Sequence, residues 1–278
     1  MNIVCCLKQV PDTAQVKIDP ETNTLVRAGV ESILNPYDLV ALEQAVRLKG
    51  VYGGRVTAIS MGPPQAESVL RQALSIGADH VVLLSDRAFA GADTLATSYT
   101  LTMAIKRIDS ESPVDLILCG KQAIDGDTAQ TGPGIATRMK ITQLTYVSEV
   151  QWIDTEKREI QVVRKVDRNK EVIRGKLPAV LTVELELAKP SRASLPALIN
   201  SLTAPVDVWN AEDIYAVKNM VGIKGSPTWV RKISSPPFRD GGPKYYADPD
   251  PEQAVSQFLE TLLSDNSFSS ELLKGWEH

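Results

Sequence analysis

Apolar runs of strand length occupy Ile3 to Leu7, Arg55 to Ser60, His80 to Leu84 and Val114 to Cys119, and stretches of helical period separate them. The first helix is predicted from Asn35-Pro36, a cap followed by proline at the first helical position, with Val40, Ala41, Ala45, Val46 and Leu48 on its inner side. The second follows Pro63-Pro64, buries Val69, Leu70, Ala73 and Leu74, and stops at Gly77. The third runs from about Asp93 to Ile108 with Leu95, Tyr99, Met103 and Ile105 on one face. This alternation predicts an α/β fold, a doubly wound and mainly parallel sheet with right-handed crossovers.

From about residue 146 the period shortens, and strands are expected at Tyr146 to Trp152, Glu159 to Val166, Glu171 to Arg174 and Ala179 to Leu187, joined by polar turns as an antiparallel extension. In the last, Leu181, Val183, Leu185 and Leu187 alternate with Thr182, Glu184 and Glu186, which predicts one buried and one wet face. After Pro190 the chain is proline-punctuated until Asp250-Pro251 opens a helix with Val255, Phe258, Leu259, Leu262 and Leu263 on one stripe. We therefore divide the chain into an α/β domain, 1–189, and a segment, 190–278, read as an arm toward a partner; the alternative is a segment wrapped over its own domain.

The richest chemistry follows the fourth strand. Gly120 ends it, and Gly126, Gly132 and Gly134 then let backbone approach a ligand while Thr128, Gln130 and Thr131 offer hydroxyl and amide groups. A helix beginning there points unpaired N–H groups at an anion, as expected beyond the carboxyl ends of strands in an open α/β sheet. Either Asp127 caps a helix from Thr128, or Thr131 or Gly132 caps one whose first residue is Pro133. The plainer alternative is a strand-to-helix connection in which Asp and Thr only cap. Lys8 to Thr13 and Met61 to Pro64 leave the same sheet edge and outline a cleft with it; Asn35 to Asp38 joins only if residues 12–34 fold back, as a hairpin turning at Thr22-Asn23 allows.

Composition narrows the function classes. With 43% hydrophobic and 23% charged residues the chain reads as a soluble globular protein; it has no apolar run of about 18 residues for membrane insertion, and Ile3 to Leu7, followed by Lys8, is too short to be expected to act as a secretory signal. A cytoplasmic location is expected, consistent with Cys5, Cys6 and Cys119 as core thiols rather than a disulfide framework. A formal charge of −4 argues against nucleic acid. With only His80 and His278 and no Walker loop, HExxH or GxSxG, histidine, metal and serine chemistry find no motif. An enzyme that hydrolyses or transfers ATP would need a triphosphate loop, and only Lys8 and Lys121 lie near the cleft.

Three segments resemble the β subunit of electron transfer flavoproteins: Val4 to Asp12 with Asn35-Pro-Tyr-Asp38, Gly120 to Gly132, and Val162 to Asp167 followed by Glu171-Val-Ile and Leu177 to Thr182. The resemblance covers nearly the whole chain. It implies an adenine nucleotide alpha hydrolase-like fold and a heterodimer with an α subunit that carries FAD. It further implies an electron carrier, with no catalytic side chain of its own, serving a flavin-dependent dehydrogenase. Ordinary members hold AMP in the cleft; electron-bifurcating members hold the adenylate half of a second FAD that accepts hydride from NADH. Asp125 to Gly134 looks like the bifurcating form, since Gly126 stands where ordinary members often have an acid. By the same resemblance, backbone at Cys6 and Met61 lines the adenine, Asn35 and Asp38 bond adenine or ribose, and Gln122 with Asp127, Thr128, Gln130, Thr131 and Gly132 holds ribose and phosphates. A carboxylate repels phosphate, so capping or ribose binding suits Asp127 better. Leu195, in Ser191 to Leu198, matches the partner-recognition loop. Two departures stand out: Arg168-Asn169 replaces glycine or acid in the hairpin turn, and Asn200 to Pro205 replaces a lysine-rich continuation, pointing from the usual acyl-CoA dehydrogenases to a different dedicated dehydrogenase.

Overall fold

A computed structural model describes residues 1–12, 17–18, 25–26, 31–229 and 250–264. Its main sheet has nine strands. Along the chain these are β1 (Asn2–Leu7), β6 (Arg55–Met61), β7 (His80–Leu84), β8 (Leu116–Gly120), β9 (Thr142–Asp154), β10 (Glu159–Val166), β11 (Asn169–Lys176), β12 (Ala179–Val183) and β13 (Asp207–Trp209). The short strands β2 (Gln9–Pro11) and β5 (Ser32–Leu34) pair with each other, as do β3 (Lys17–Ile18) and β4 (Leu25–Val26). The expected turn at Thr22-Asn23 lies outside the described residues. The order across the main sheet is β11-β10-β9-β12-β8-β1-β6-β7-β13, parallel from β9 to β13 and antiparallel at β10 and β11.

Of the six helices among the described residues, the first three and the last sit where the apolar periods predict. The six are α1 (Pro36–Tyr52), α2 (Glu67–Ile76), α3 (Thr94–Glu111), α4 (Thr131–Met139), α5 (Leu195–Thr203) and α6 (Pro251–Ser264). Pro36 opens α1, Gly77 ends α2, and the Asp93 carboxylate caps α3 by accepting from the Ala96 N–H. Alternate residues of β1 face opposite cores. Ile3, Cys5 and Leu7 pack with residues of α1 and α2, whereas Val4 and Cys6 pack with residues of α3 and α4. Helices therefore cover both faces, as in a doubly wound sheet.

Two expectations need correction. The strand from Ala179 is a parallel central strand between β8 and β9, buried throughout, and the chain leaves it at Glu184 into a 3-10 turn, Leu185–Leu187. Both its faces are covered, so alternation does not mark a wet side: Thr182 is buried and its hydroxyl accepts the Tyr146 N–H where the β9 register slips. Leu95, expected inside, is half exposed at the start of α3.

The first compact unit is Met1–Ile233 and the second Ser234–His278. Residues 190–229 thus belong with the α/β unit: α5 packs on α2, and β13 adds to the sheet beside β7. In the second unit α6 carries its expected apolar stripe, with Val255, Phe258, Leu259 and Leu263 exposed.

Candidate functional site

Strands β1, β6 and β7 step outward in one direction, and the chain then returns through α3 to place β8 on the other side of β1. The strand order reverses between β1 and β8, so their carboxyl ends splay apart and leave a crevice where ligands bind in such sheets. Three segments meet there. The turn after β1 donates the Lys8 N–H to Asp38 Oδ2 at 2.8 Å, and the end of β8 donates the Gly120 N–H to Asp38 Oδ1 at 3.0 Å. One carboxylate from the first turn of α1 therefore ties both strand ends together. Pairing of β2 with β5 and an Asn35 N–H bond to the Lys8 carbonyl return the chain from its excursion to this point.

Asn35 fixes the next loop. Its side-chain amide donates to the Gln122 carbonyl at 2.9 Å and accepts from the Ile124 N–H at 3.3 Å, which leaves α1 with no side-chain cap. Asn35 and Asp38 are buried, and both polar ends of each side chain are engaged with the loops of the crevice. Burial pushes the Asp38 carboxyl up to about 7, against the pull of the Asn35 side chain, the Lys8 and Gly120 N–H groups and the Lys8 charge.

Beyond Gly120 the loop turns through Ala123, whose carbonyl accepts from the Gly126 and Asp127 N–H groups. Asp127 and Ala129 adopt left-handed backbone, and the Asp127 carboxylate takes the Gln122 amide. Helix α4 then starts at Thr131, with Gln130 before it and no side chain capping it. This corrects both expected starts: Asp127 is spent on Gln122, and Pro133 is the third helical residue rather than the first. The consequence is an α4 end whose first N–H groups have no side-chain acceptor, the arrangement that favours an anion.

Two glycines set that helix end close to its neighbours. A Cβ on Gly132 would stand 2.4 Å from Thr182 Cγ2, and one on Gly134 would stand 2.7 Å from Ser98. Gly126 differs, since a Cβ there meets no atom within 4 Å. Of the other predicted residues, Cys6 lies buried at the end of β1, Met61 half-buried at the end of β6, Gln122 and Thr131 half-buried, and Asp127, Thr128 and Gln130 exposed along the loop. Leu195 lies outside this cluster, on α5, and is 69% exposed.

Sequence reasoning placed Lys8 near the cleft but missed its partner. Its ammonium bridges both oxygens of Asp125 at 2.7 and 2.8 Å, linking the β1 turn to the glycine loop. Lys121 pairs with Glu184 at 3.1 Å and lies over the Tyr146 ring. Opposite charges on loops leaving one sheet edge were the available signal. A separate cavity of ≈ 310 Å³, lined by Asn2, Arg55, His80, Arg107 and Asp207 among others, opens at the amino edge of the sheet, away from these loops. His80 there bonds Asp207 at 2.9 Å, which clasps β13 to β7. Among the described residues no His, Cys, Asp and Glu cluster could hold a metal, and no helix is long and apolar enough to cross a membrane.

The model of the electron transfer flavoprotein domain matches residues 22–214. Protein FixA of Azotobacter vinelandii is 47% identical over 271 residues, 96% of each chain. The electron transfer flavoprotein subunit beta of Clostridium acetobutylicum is 49% identical over 242 residues, 87% of this chain and 91% of the relative. That of Thermoanaerobacterium thermosaccharolyticum is 46% identical over 265 residues, 95% and 98% of the two chains. With the site at the sheet reversal and the likeness running almost from end to end, the chain belongs to the electron transfer flavoprotein family.

Proposed function

We propose that this chain is the β subunit of a heterodimeric electron transfer flavoprotein and that its crevice holds the adenylate half of a second FAD of the electron-bifurcating kind. The observation that carries the choice of FAD over AMP is the open space at Gly126, on the loop before the uncapped α4 end. A diphosphate can continue past such a point, whereas an acid there would add bulk and like charge. Bound there, a flavin would supply hydride acceptance from NADH and electron transfer toward the α-subunit flavin and a flavin-dependent dehydrogenase.

The chain's own residues bind and orient. Backbone at Cys6 and Met61 lines the adenine, and Asn35 and Asp38 keep the loops in register around it. Thr128, Gln130 and Thr131 with the α4 N–H groups receive the phosphates. Lys8, bidentate to Asp125, holds the β1 turn to the glycine loop. A triphosphate-cleaving role fits less well, because Lys8 and Lys121 are paired with Asp125 and Glu184. Leu195 is the apolar anchor on the dehydrogenase.

Gly126→Asp tests the cofactor assignment without loading the fold, since the added side chain has room. FAD affinity of the αβ complex should fall about tenfold, roughly 1.4 kcal/mol, while AMP affinity changes little. Equal binding of FAD by the two proteins would show that no diphosphate passes Gly126.

A further inference from the structure

Helix α5 has nine residues and buries only Ser201, yet it exposes Leu195, Leu198, Ile199 and Leu202. So short a helix is marginal alone, and where it packs on α2 none of its apolar side chains is fully buried. Besides the Ser194 hydroxyl that caps its start, polar clamps hold its last turn and the segment that leads into it. At the C-terminal end, the Arg71 guanidinium of α2 donates to the Ser201, Leu202 and Ala204 carbonyls at 2.7, 3.0 and 3.4 Å, and Glu67 one turn earlier holds its head at 2.6 Å. Those carbonyls belong to the last turn, where a cation also meets the negative end of the helix dipole. At the entry, the buried Glu43 carboxylate of α1 accepts both the N–H and the hydroxyl of Ser191 at 2.7 Å.

The exposed apolar residues stand at i, i+3, i+4 and i+7, the spacing with which a helix enters an apolar groove. From Leu187 to Val206 the chain has no acid and carries Lys189 and Arg192, both exposed. The complementary occupant is a protein with an apolar groove and carboxylates at its rim.

Resting on the reading of Leu195 as the dehydrogenase anchor, we propose that Glu43 and Arg71 are positioning residues that pre-set the α5 face for docking into such a groove. Among the described residues neither is hydrogen-bonded or ion-paired to the crevice loops, so they act on encounter and leave nucleotide binding alone. If the clamped helix falls to a minor population, apparent affinity falls by the same fraction.

The test uses the intact αβ complex with flavin-dependent dehydrogenases purified singly from the same organism, taking as probe one that exchanges electrons saturably with the wild type. Arg71→Ala and Glu43→Gln should raise the KM for the complex about tenfold with kcat and bound nucleotide unchanged. Arg71→Lys should recover part of the loss, since an ammonium keeps the charge but lacks the fork. Amide exchange across residues 197–203 should quicken in Arg71→Ala. Leu195→Asp separates the two levels. If it leaves KM unchanged, the docking reading fails and this proposal with it, as it does if only self-association of the complex changes. If it raises KM while the Arg71 and Glu43 variants behave as wild type, the docking reading stands and the positioning roles are overturned. Should Arg71→Ala not fold, the Arg71→Lys and Glu43→Gln kinetics decide.

Discussion

Asp38 carries the electrostatic tension of the crevice, because one buried carboxylate serves two strand ends. Its pKa is raised from 3.8 to about 7, chiefly by desolvation, so between these values the folded protein keeps a proton that the unfolded chain has lost. The group's contribution to stability is therefore largest at low pH and is lost as pH rises from about 4 to 7. Asp38→Asn removes this titration. Denaturant midpoints at several pH values should show wild type losing stability relative to the variant across that window; parallel curves would mean an ordinary carboxylate. A carboxyl that is about half protonated near pH 7 also repels a neighbouring phosphate less than a full carboxylate would. The motif marked Asn35 and Asp38 only as candidate ligand contacts, and their ties to Lys8, Gly120, Gln122 and Ile124 were not legible. Nor was the bond between Lys8 and Asp125, 117 positions apart, which depends on β8 lying beside β1.

Among the elements, β1, β6, β7 and β10 and the helices α1 to α3 were readable because continuous apolar runs and capping residues mark them locally. Strand β12 was misread because alternation is local whereas burial is not: Thr182 faces inward to serve the β9 irregularity and to meet α4. The start of α4 was missed for a related reason, since the acid expected to cap it bonds Gln122 instead. The close approach of α4 to β12 makes Gly132 the sensitive position. Gly132→Ala should cost about 2 kcal/mol through overpacking against Thr182, whereas Gly126→Ala should stay within about 0.5 kcal/mol. Urea midpoints check both, and an undisturbed Gly132→Ala would mean that the helix end is free to shift.

At the scale of the molecule, sequence grammar identified an α/β unit followed by a proline-rich segment, but not that residues 190–229 would add a strand and a helix to that unit. Polar clamps and a three-residue edge strand leave little trace in hydrophobic periodicity. The apolar stripe of α6 belongs to the second unit, and we expect deletion of residues 250–278 to weaken association with the α subunit. Sedimentation of the two purified subunits measures this, and unchanged affinity would confine the segment to its own chain. The central claim is that the crevice holds a flavin dinucleotide, and the nucleotides released on denaturing the purified αβ complex test it most directly. Two FAD per heterodimer is the predicted result; one FAD with one AMP would contradict it.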